Sequence, residues 1–391
     1  MQARRSPSLP VLLLGLTLAR TVVNSGYRMV YPFLPVIARG LGVELSDLAL
    51  AITARSSLGL ASPFLGSFAD VVGRRRTMVF GLTIYGSSLL VVGLWPTLPA
   101  LFFSLILAAA GRLILDPAVG AYLGDRVPYS RRGLAMALSE VSWSGAFLLG
   151  VPLAGWLIAR AGWNKPFLLF AILGLASAVL VRFIVPAEDG PVHARTSLRA
   201  SFGAVLASRA ALAGLAVGLL ITLSNEVVNI VFGAWLEHGF GLQVAALGAA
   251  SAVIGASELS GEGLVAGLAD RIGKRRAVAL GIVANAAACL ALEPLGRSLP
   301  GALLGLFLFY ITFEFALVSG IPLMSELVPG ARATVLAGNM GSHSAGRALG
   351  ALLGPALYAG GLLGGGLFPN ALAAAGLDVL ALMILLAFVR E

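Results

Sequence analysis

The sequence predicts an all-α integral membrane protein, with about twelve transmembrane helices in two pseudo-symmetric six-helix bundles. Three observations carry this. The chain of 391 residues is 58% hydrophobic and 12% charged, against about 25% charged in soluble proteins. Apolar runs of about 20 residues, the length a helix needs to cross a bilayer, recur from end to end. The chain also repeats parts of itself at an offset of about 200 residues.

Taken between charged or Pro/Gly-rich breaks, the runs place spans at 10–38, 46–69, 77–95, 99–123, 133–158, 166–185, 209–236, 243–266, 277–295, 300–325, 333–360 and 369–389. The least apolar connection is 186–208, "PAEDGPVHARTSLRASFGAVLAS". It reads as a cytoplasmic inter-domain loop between an N-terminal bundle, 1–185, and a C-terminal bundle, 209–391. The opening "MQARRSPSLPVLLLGLTLAR" is basic and then apolar, like a signal peptide. Its apolar run is too long for one and ends in no small-residue cleavage site, so it reads as a retained first span. The single cysteine, Cys289, excludes an intramolecular disulfide and leaves no thiol metal site.

The net charge of +9 is topological. Seventeen of the 27 Lys and Arg residues fall on segments of one side and four on the other, the remainder lying within spans. By the positive-inside rule both termini are cytoplasmic, in a multi-pass protein of the cell (plasma or inner) membrane. No basic cluster is left over for nucleic acid.

The repeat is clearest between "ADVVGRRRTMVFG" (69–81) and "ADRIGKRRAVALG" (269–281), where Ala69, Asp70, Gly73, Arg75, Arg76 and Gly81 each recur. A second echo joins "GDRVPYSRRG" (124–133) to "SELVPGARAT" (325–334). Two parallel halves related by an axis along the membrane normal produce this pattern. With "GSFADVVGRRR" and "GLADRIGKRR" on the loops after the second and eighth spans, the chain resembles the major facilitator superfamily of secondary transporters. Its loop pattern is roughly G-x-x-x-D-R-x-G-R-[RK]-x. The first copy has Val71 where a basic residue is usual, and the second keeps Arg271. In the fifth span, "GAFLLGVPLAGW" is similar to the Gly-Pro motif of proton-driven antiporters, with Gly145, Gly150, Pro152 and Gly155 present but no Gly adjacent to Pro.

The resemblance implies alternating-access transport of a small organic solute by a monomer without cofactor or metal. The excess of arginine within the first-half spans points to an anionic or amphiphilic solute, and the acids within the spans point to proton coupling. The expected partners are the solute, protons and the lipid bilayer. The resemblance also implies that the third span of each triplet lies outside while the other two face a cavity. The duplicated loops have a physical reading of their own. Asp70 can cap the following helix or pair with Arg74 and the loop arginines, with Asp125 as an extra partner. Asp270, Arg271 and Lys274 are the second copy. Such pairs form an expected conformational latch on the cytoplasmic side.

Charges within the spans follow the expected arrangement. Arg20 and Arg28 lie in the first span, Arg55 in the second, Arg112 and Asp116 in the fourth, and Glu140 in the fifth. Glu226 lies in the seventh, Glu258 and Glu262 in the eighth, Glu314 in the tenth, and His343 and Arg347 in the eleventh. Asp378, in the twelfth, stands outside the pattern. A charge at the bilayer centre costs about 2.5–3.5 kcal/mol on insertion scales, so these residues are expected to face inward. At about 100° per residue, Arg20, Asn24, Tyr27, Arg28 and Tyr31 share one face of their span. Thr222, Asn225, Glu226 and Asn229 share a comparable face of theirs.

Two uses of these residues remain open. Arginine's planar fork suits carboxylate and phosphate, which makes Arg20, Arg28, Arg55 and Arg112, with Asn24, Tyr27, Asn225, Asn229 and His343, the expected substrate face. Alternatively the arginines pair with acids and lock helices together. Asp116, Glu140, Glu226 and Glu314 are the proton-coupling candidates, because a carboxyl group in low-dielectric surroundings holds its proton harder. A drug/proton antiporter exporting cationic or neutral hydrophobic compounds is the main alternative, and a membrane-embedded enzyme a remote one. Three histidines (His193, His238, His343) and no H-E-x-x-H or suitably placed G-x-S-x-G speak against an enzyme.

Overall fold

A computed structural model describes residues 9–61, 72–127, 139–186, 198–360 and 365–389, with the backbone alone at 124, 125, 198–202, 270, 329 and 333. The helices among them are α1 (Leu9–Arg28), α2 (Val30–Leu41), α3 (Leu45–Ser57), α4 (Arg74–Leu94) and α5 (Leu98–Arg126). Next come α6 (Ser139–Ala161), α7 (Lys165–Ile184), α8 (Leu198–Ala207), α9 (Arg209–Asn229), α10 (Phe232–Phe240) and α11 (Val244–Ala250). The last are α12 (Ala252–Ile272), α13 (Lys274–Leu295), α14 (Leu299–Leu327), α15 (Arg332–Ala359) and α16 (Leu367–Phe388). No strand occurs among the described residues.

Ten helices among the described residues are long and apolar enough to cross a membrane. Two of the twelve expected spans fall outside that set. The second, 46–69, runs into residues beyond the description. The eleventh corresponds to the 28-residue α15, whose Asn339, His343 and Arg347 dilute its apolar character.

Local chemistry explains the element boundaries. Gly73 and Gly273 precede α4 and α13 with φ of 92° and 88°, a left-handed region that side chains with a Cβ resist. This is why both copies of the repeated loop carry glycine there. Thr97 and Ser298, one repeat apart, cap α5 and α14 by accepting from the amides of Ala100 and Gly301, which satisfies donors the first turn leaves open. The first span breaks at Met29, between α1 and α2. Pro32 has no N–H for the carbonyl of Arg28, four residues back, and its ring crowds that carbonyl. The seventh span breaks at Ile230 and Val231, one repeat later, between α9 and α10. Within α6, residues Ala146–Gly150 form a π turn just ahead of Pro152, which withholds a donor from Leu148 in the same way.

Backbone contacts divide the chain into two compact units. The first holds Met1–Val30 and Phe64–Ala194, the second Tyr31–Pro63 and Arg195–Glu391. Lipid offers no hydrophobic drive for helices to associate, so small residues that let backbones approach do the packing. In the first unit α4 and α5 cross at Gly81 and Gly111, where a Cβ on either would fall 2.6 or 2.5 Å from the other's carbonyl oxygen. Tyr85 fills the centre, donating to the carbonyl of Val22 at 3.1 Å and packing against Gly26 and Gly174. α1 meets α6 where Ser25 rests on Gly150.

In the second unit Gly346, Gly350 and Gly354 form an i, i+4, i+8 stripe on α15 that receives α9. Asn370 on α16 pins both by donating to the carbonyls of Val227 and Gly354. Asn285 ties α13 to the Phe309 carbonyl of α14 at 2.8 Å. α3 lies along α15, with Thr53 donating to the carbonyl of Ala348.

Candidate functional site

The first unit gathers Arg20, Arg28, Arg112, Asp116 and Glu140 into one network where α1, α5 and α6 meet. Three positions on α1, each one turn apart, bond to the first turn or so of α6, between Ser139 and Trp143. Arg20 gives Nε to Asp116 at 3.2 Å and Nη1 to Glu140 at 2.9 Å, to Ser139 Oγ at 2.6 Å and to the Ser139 carbonyl at 3.1 Å. Asn24 donates to Ser142 Oγ at 3.1 Å. Arg28 donates to the Trp143 carbonyl at 3.1 Å, and its guanidinium lies 4.0 Å from the ring centres of Trp143 and Phe147. From α5, Arg112 gives Nε to the second oxygen of Asp116 at 3.1 Å and stands over Tyr27 and Trp143 at 4.5 and 4.8 Å.

Arg20 and Arg28 are buried. Tyr27, Arg112, Asp116 and Trp143 are half-buried, and Glu140 is exposed. Of the expected substrate face, Arg20, Asn24, Tyr27, Arg28 and Arg112 are therefore together, beside Asp116 and Glu140. Each carboxylate accepts from an arginine, as the helix-locking use requires.

The second unit builds a network around Glu226, 1% exposed. Asn229 donates to its carboxylate at 3.1 Å and accepts from the Tyr310 hydroxyl at 2.7 Å. Tyr31 reaches the same carboxyl, and Arg347 and Arg55 supply nearby positive charge. Arg55 also lies 5.2 Å from the Tyr31 ring. Asn225, on the same helix, is buried with no hydrogen-bond partner for Nδ2 among the described residues. His343 and Asn339 sit against Gly218 of α9, a turn or more from Glu226. Glu314 is buried on α14 where it crosses α12 at Gly261. Asp378, which stood outside the sequence pattern, is 1% exposed and lies 3.9 Å from the Cys289 thiol. It points into the helix packing, which is how a carboxyl on the last span avoids lipid.

Of the expected latch, Asp70 lies outside the described residues, as do the side chains of Asp125 and Asp270. Arg74 is buried at the start of α4, Arg271 is exposed, and Lys274 pairs with Glu326 at the end of α14.

Trp143, Phe147, Ser139 and Ser142 escaped the sequence reading, as did Tyr310. A signal existed for the first two. Glu140, Trp143 and Phe147 fall at i, i+3 and i+7, one helical face led by an acid already singled out.

A helical membrane protein with repeated halves and charges turned into its helix packing fits a membrane transporter, and the comparisons make the class specific. A family model described as Major Facilitator Superfamily matches residues 16–223, more than half of the chain. The chain belongs to that superfamily, a family of transporters and not of enzymes, so the embedded-enzyme alternative falls. Multidrug resistance protein 2 of Bacillus subtilis (strain 168) is 30% identical over 161 residues, which are 41% of this chain and 40% of that protein. The alignment thus spans about two fifths of that relative. The uncharacterised MFS-type transporter YceJ of the same organism is 22% identical over 342 residues, 86% of each chain. The crystal structure of the nucleoside transporter NupG superposes with a TM-score of 0.78 at 15% identity, covering 97% of this chain and all of that one; it shares the fold.

Proposed function

We propose that the chain is a secondary active transporter that moves a small organic solute by alternating access, is driven by protons, and takes an anionic or amphiphilic substrate. The observation that carries this is Glu226. Its carboxyl is buried in α9, bonded by Asn229, reached by Tyr31 and faced by Arg55 and Arg347. A carboxylate so placed exchanges its attraction to arginine for a proton when its surroundings change. The bundles at 1–185 and 209–391 rock about the solute, in a monomer of the cell membrane with both termini in the cytoplasm.

The test is proteoliposomes holding a pH-sensitive dye. Adding a transported solute moves protons in the wild type, and Glu226→Gln abolishes that movement while solute exchange persists. Wild-type transport indifferent to an imposed pH gradient overturns proton coupling.

A second reading, drug/proton antiport, is favoured by the relative named Multidrug resistance protein 2 and by the Gly-rich run of α6 ahead of Pro152. It predicts that cationic dyes such as ethidium drive the proton movement and that organic anions do not.

A further inference from the structure

Trp143 takes no part in the ion pairs, yet it is the side chain on which the first unit's arginines converge. Arg28 lies 4.0 Å and Arg112 4.8 Å from its ring centre, and Tyr27 sits beside it at 6.4 Å between ring centres. Trp143, Tyr27 and Arg112 are each half-buried, so part of each side chain is left uncovered within its unit. Two further facts fix the kind of solute.

Charge is the first. Arg20, Arg28 and Arg112 face two carboxylates, and both carboxylates already accept from arginine. Three guanidiniums against two carboxylates leave the network net positive, which favours an anion over a cation. The second is the state of Arg112. It meets Asp116 through Nε, and no described residue takes its terminal amino groups. Those N–H groups form the fork that binds a carboxylate with two parallel hydrogen bonds. A guanidinium packed beside two rings offers that fork with aromatic surface alongside.

We propose that Trp143 is the specificity-determining residue of this site, and that the site takes a planar aromatic carboxylate. The carboxylate sits on the Arg112 fork and the ring packs beside the indole and Tyr27. The proposal rests on the transporter reading above and names its substrate class. Removing the indole removes both the ring's partner and a surface against which Arg112 packs. Trp143 thereby sets both selectivity for a ring and selectivity for an anion.

The experiment uses the full chain in nanodiscs and three probes: 2-naphthoate, cyclohexanecarboxylate and 2-naphthylmethylammonium. The wild type binds 2-naphthoate about tenfold or more tighter than either other probe, about 1.4 kcal/mol for each factor of ten. Trp143→Leu loses that preference, and Trp143→Phe keeps most of it. Arg112→Lys preserves a cation for Asp116 but lacks the fork, and it loses the preference for the anion. This variant decides the matter should Trp143→Leu fail to fold. Tighter binding of the ammonium probe overturns the proposal. So does unchanged naphthoate affinity in folded Trp143→Leu or in Arg112→Lys. Naphthoate binding that depends on Trp143, with naphthoate flux indifferent to a pH gradient, supports this site and sinks proton coupling. Naphthoate flux that follows the pH gradient yet is indifferent to Trp143 does the reverse.

Discussion

Arg20 and Arg28 lie eight residues apart on one face of α1, and their surroundings separate them. Arg20 is spent on two acids and a serine, and Arg28 on a carbonyl and two rings. The face was legible from helical periodicity. The partners were not, because they come from α5 and α6, and one sequence does not say which turn meets which. Burial decides which pair matters. Asp116, with 20% of its side chain exposed, holds both Arg20 and Arg112, whereas the Glu140 side chain is 58% exposed. Removing one partner from a fully buried pair costs about 3–5 kcal/mol, and solvent limits an exposed pair to about 1 kcal/mol or less. Half-buried Asp116 falls between these limits and Glu140 at the lower one. Asp116→Asn is therefore expected to lower the thermal unfolding midpoint well beyond Glu140→Gln in the same detergent. Equal losses would mean that Arg20 is anchored mainly by serine and carbonyl contacts.

At the scale of elements, the packing of α15 on α9 depends on the absence of side chains. A Cβ on Gly346 would fall 2.3 Å from Thr222 Oγ1 and 2.4 Å from the Leu219 carbonyl, while Gly341 on the same helix has nothing within 4 Å. Gly346→Ala must push the helices apart, an overpacking cost of about 1–3 kcal/mol. Gly341→Ala adds helix propensity of about 1 kcal/mol without a clash. The two substitutions should thus move the unfolding midpoint in opposite directions. A stabilised Gly346→Ala would mean α9 and α15 do not approach as closely as described. The spans and the repeat could be read from hydropathy because both are written into consecutive residues. The break at Met29 had its cause in plain sight, Pro32, but a run of apolar residues hides a kink from any average over twenty positions. The matching break at Ile230 has no proline, and nothing in the local sequence announces it.

For the whole molecule, the division of contacts does not follow the order of the chain, since Tyr31–Pro63 joins the residues from Arg195 onward. A midpoint loop marks where a sequence repeats, and it says nothing about which unit a segment packs with. Within that second unit Arg39 at the end of α2 forms a two-pronged pair with Glu237 at the end of α10. The carbonyl of Pro32 comes so near Gly233 that a Cβ there would fall 2.4 Å away. The duplicated loops carry the sequence symmetry. Glycine recurs in them for its φ, and the positive-inside rule gives a reason for arginine, but neither reason explains the recurring Asp70 and Asp270. Lys274 already has a partner in Glu326, and that pair is exposed enough, at 29% and 53% of the two side chains, to be worth about 1 kcal/mol or less. If the aspartates latch the cytoplasmic side, Asp70→Asn should slow transport in proteoliposomes severalfold, with expression and membrane insertion unchanged. Glu326→Gln, which loosens only the local pair, should leave the rate near wild type. Unchanged transport by Asp70→Asn would remove the latch and leave the loop's charge a purely topological device.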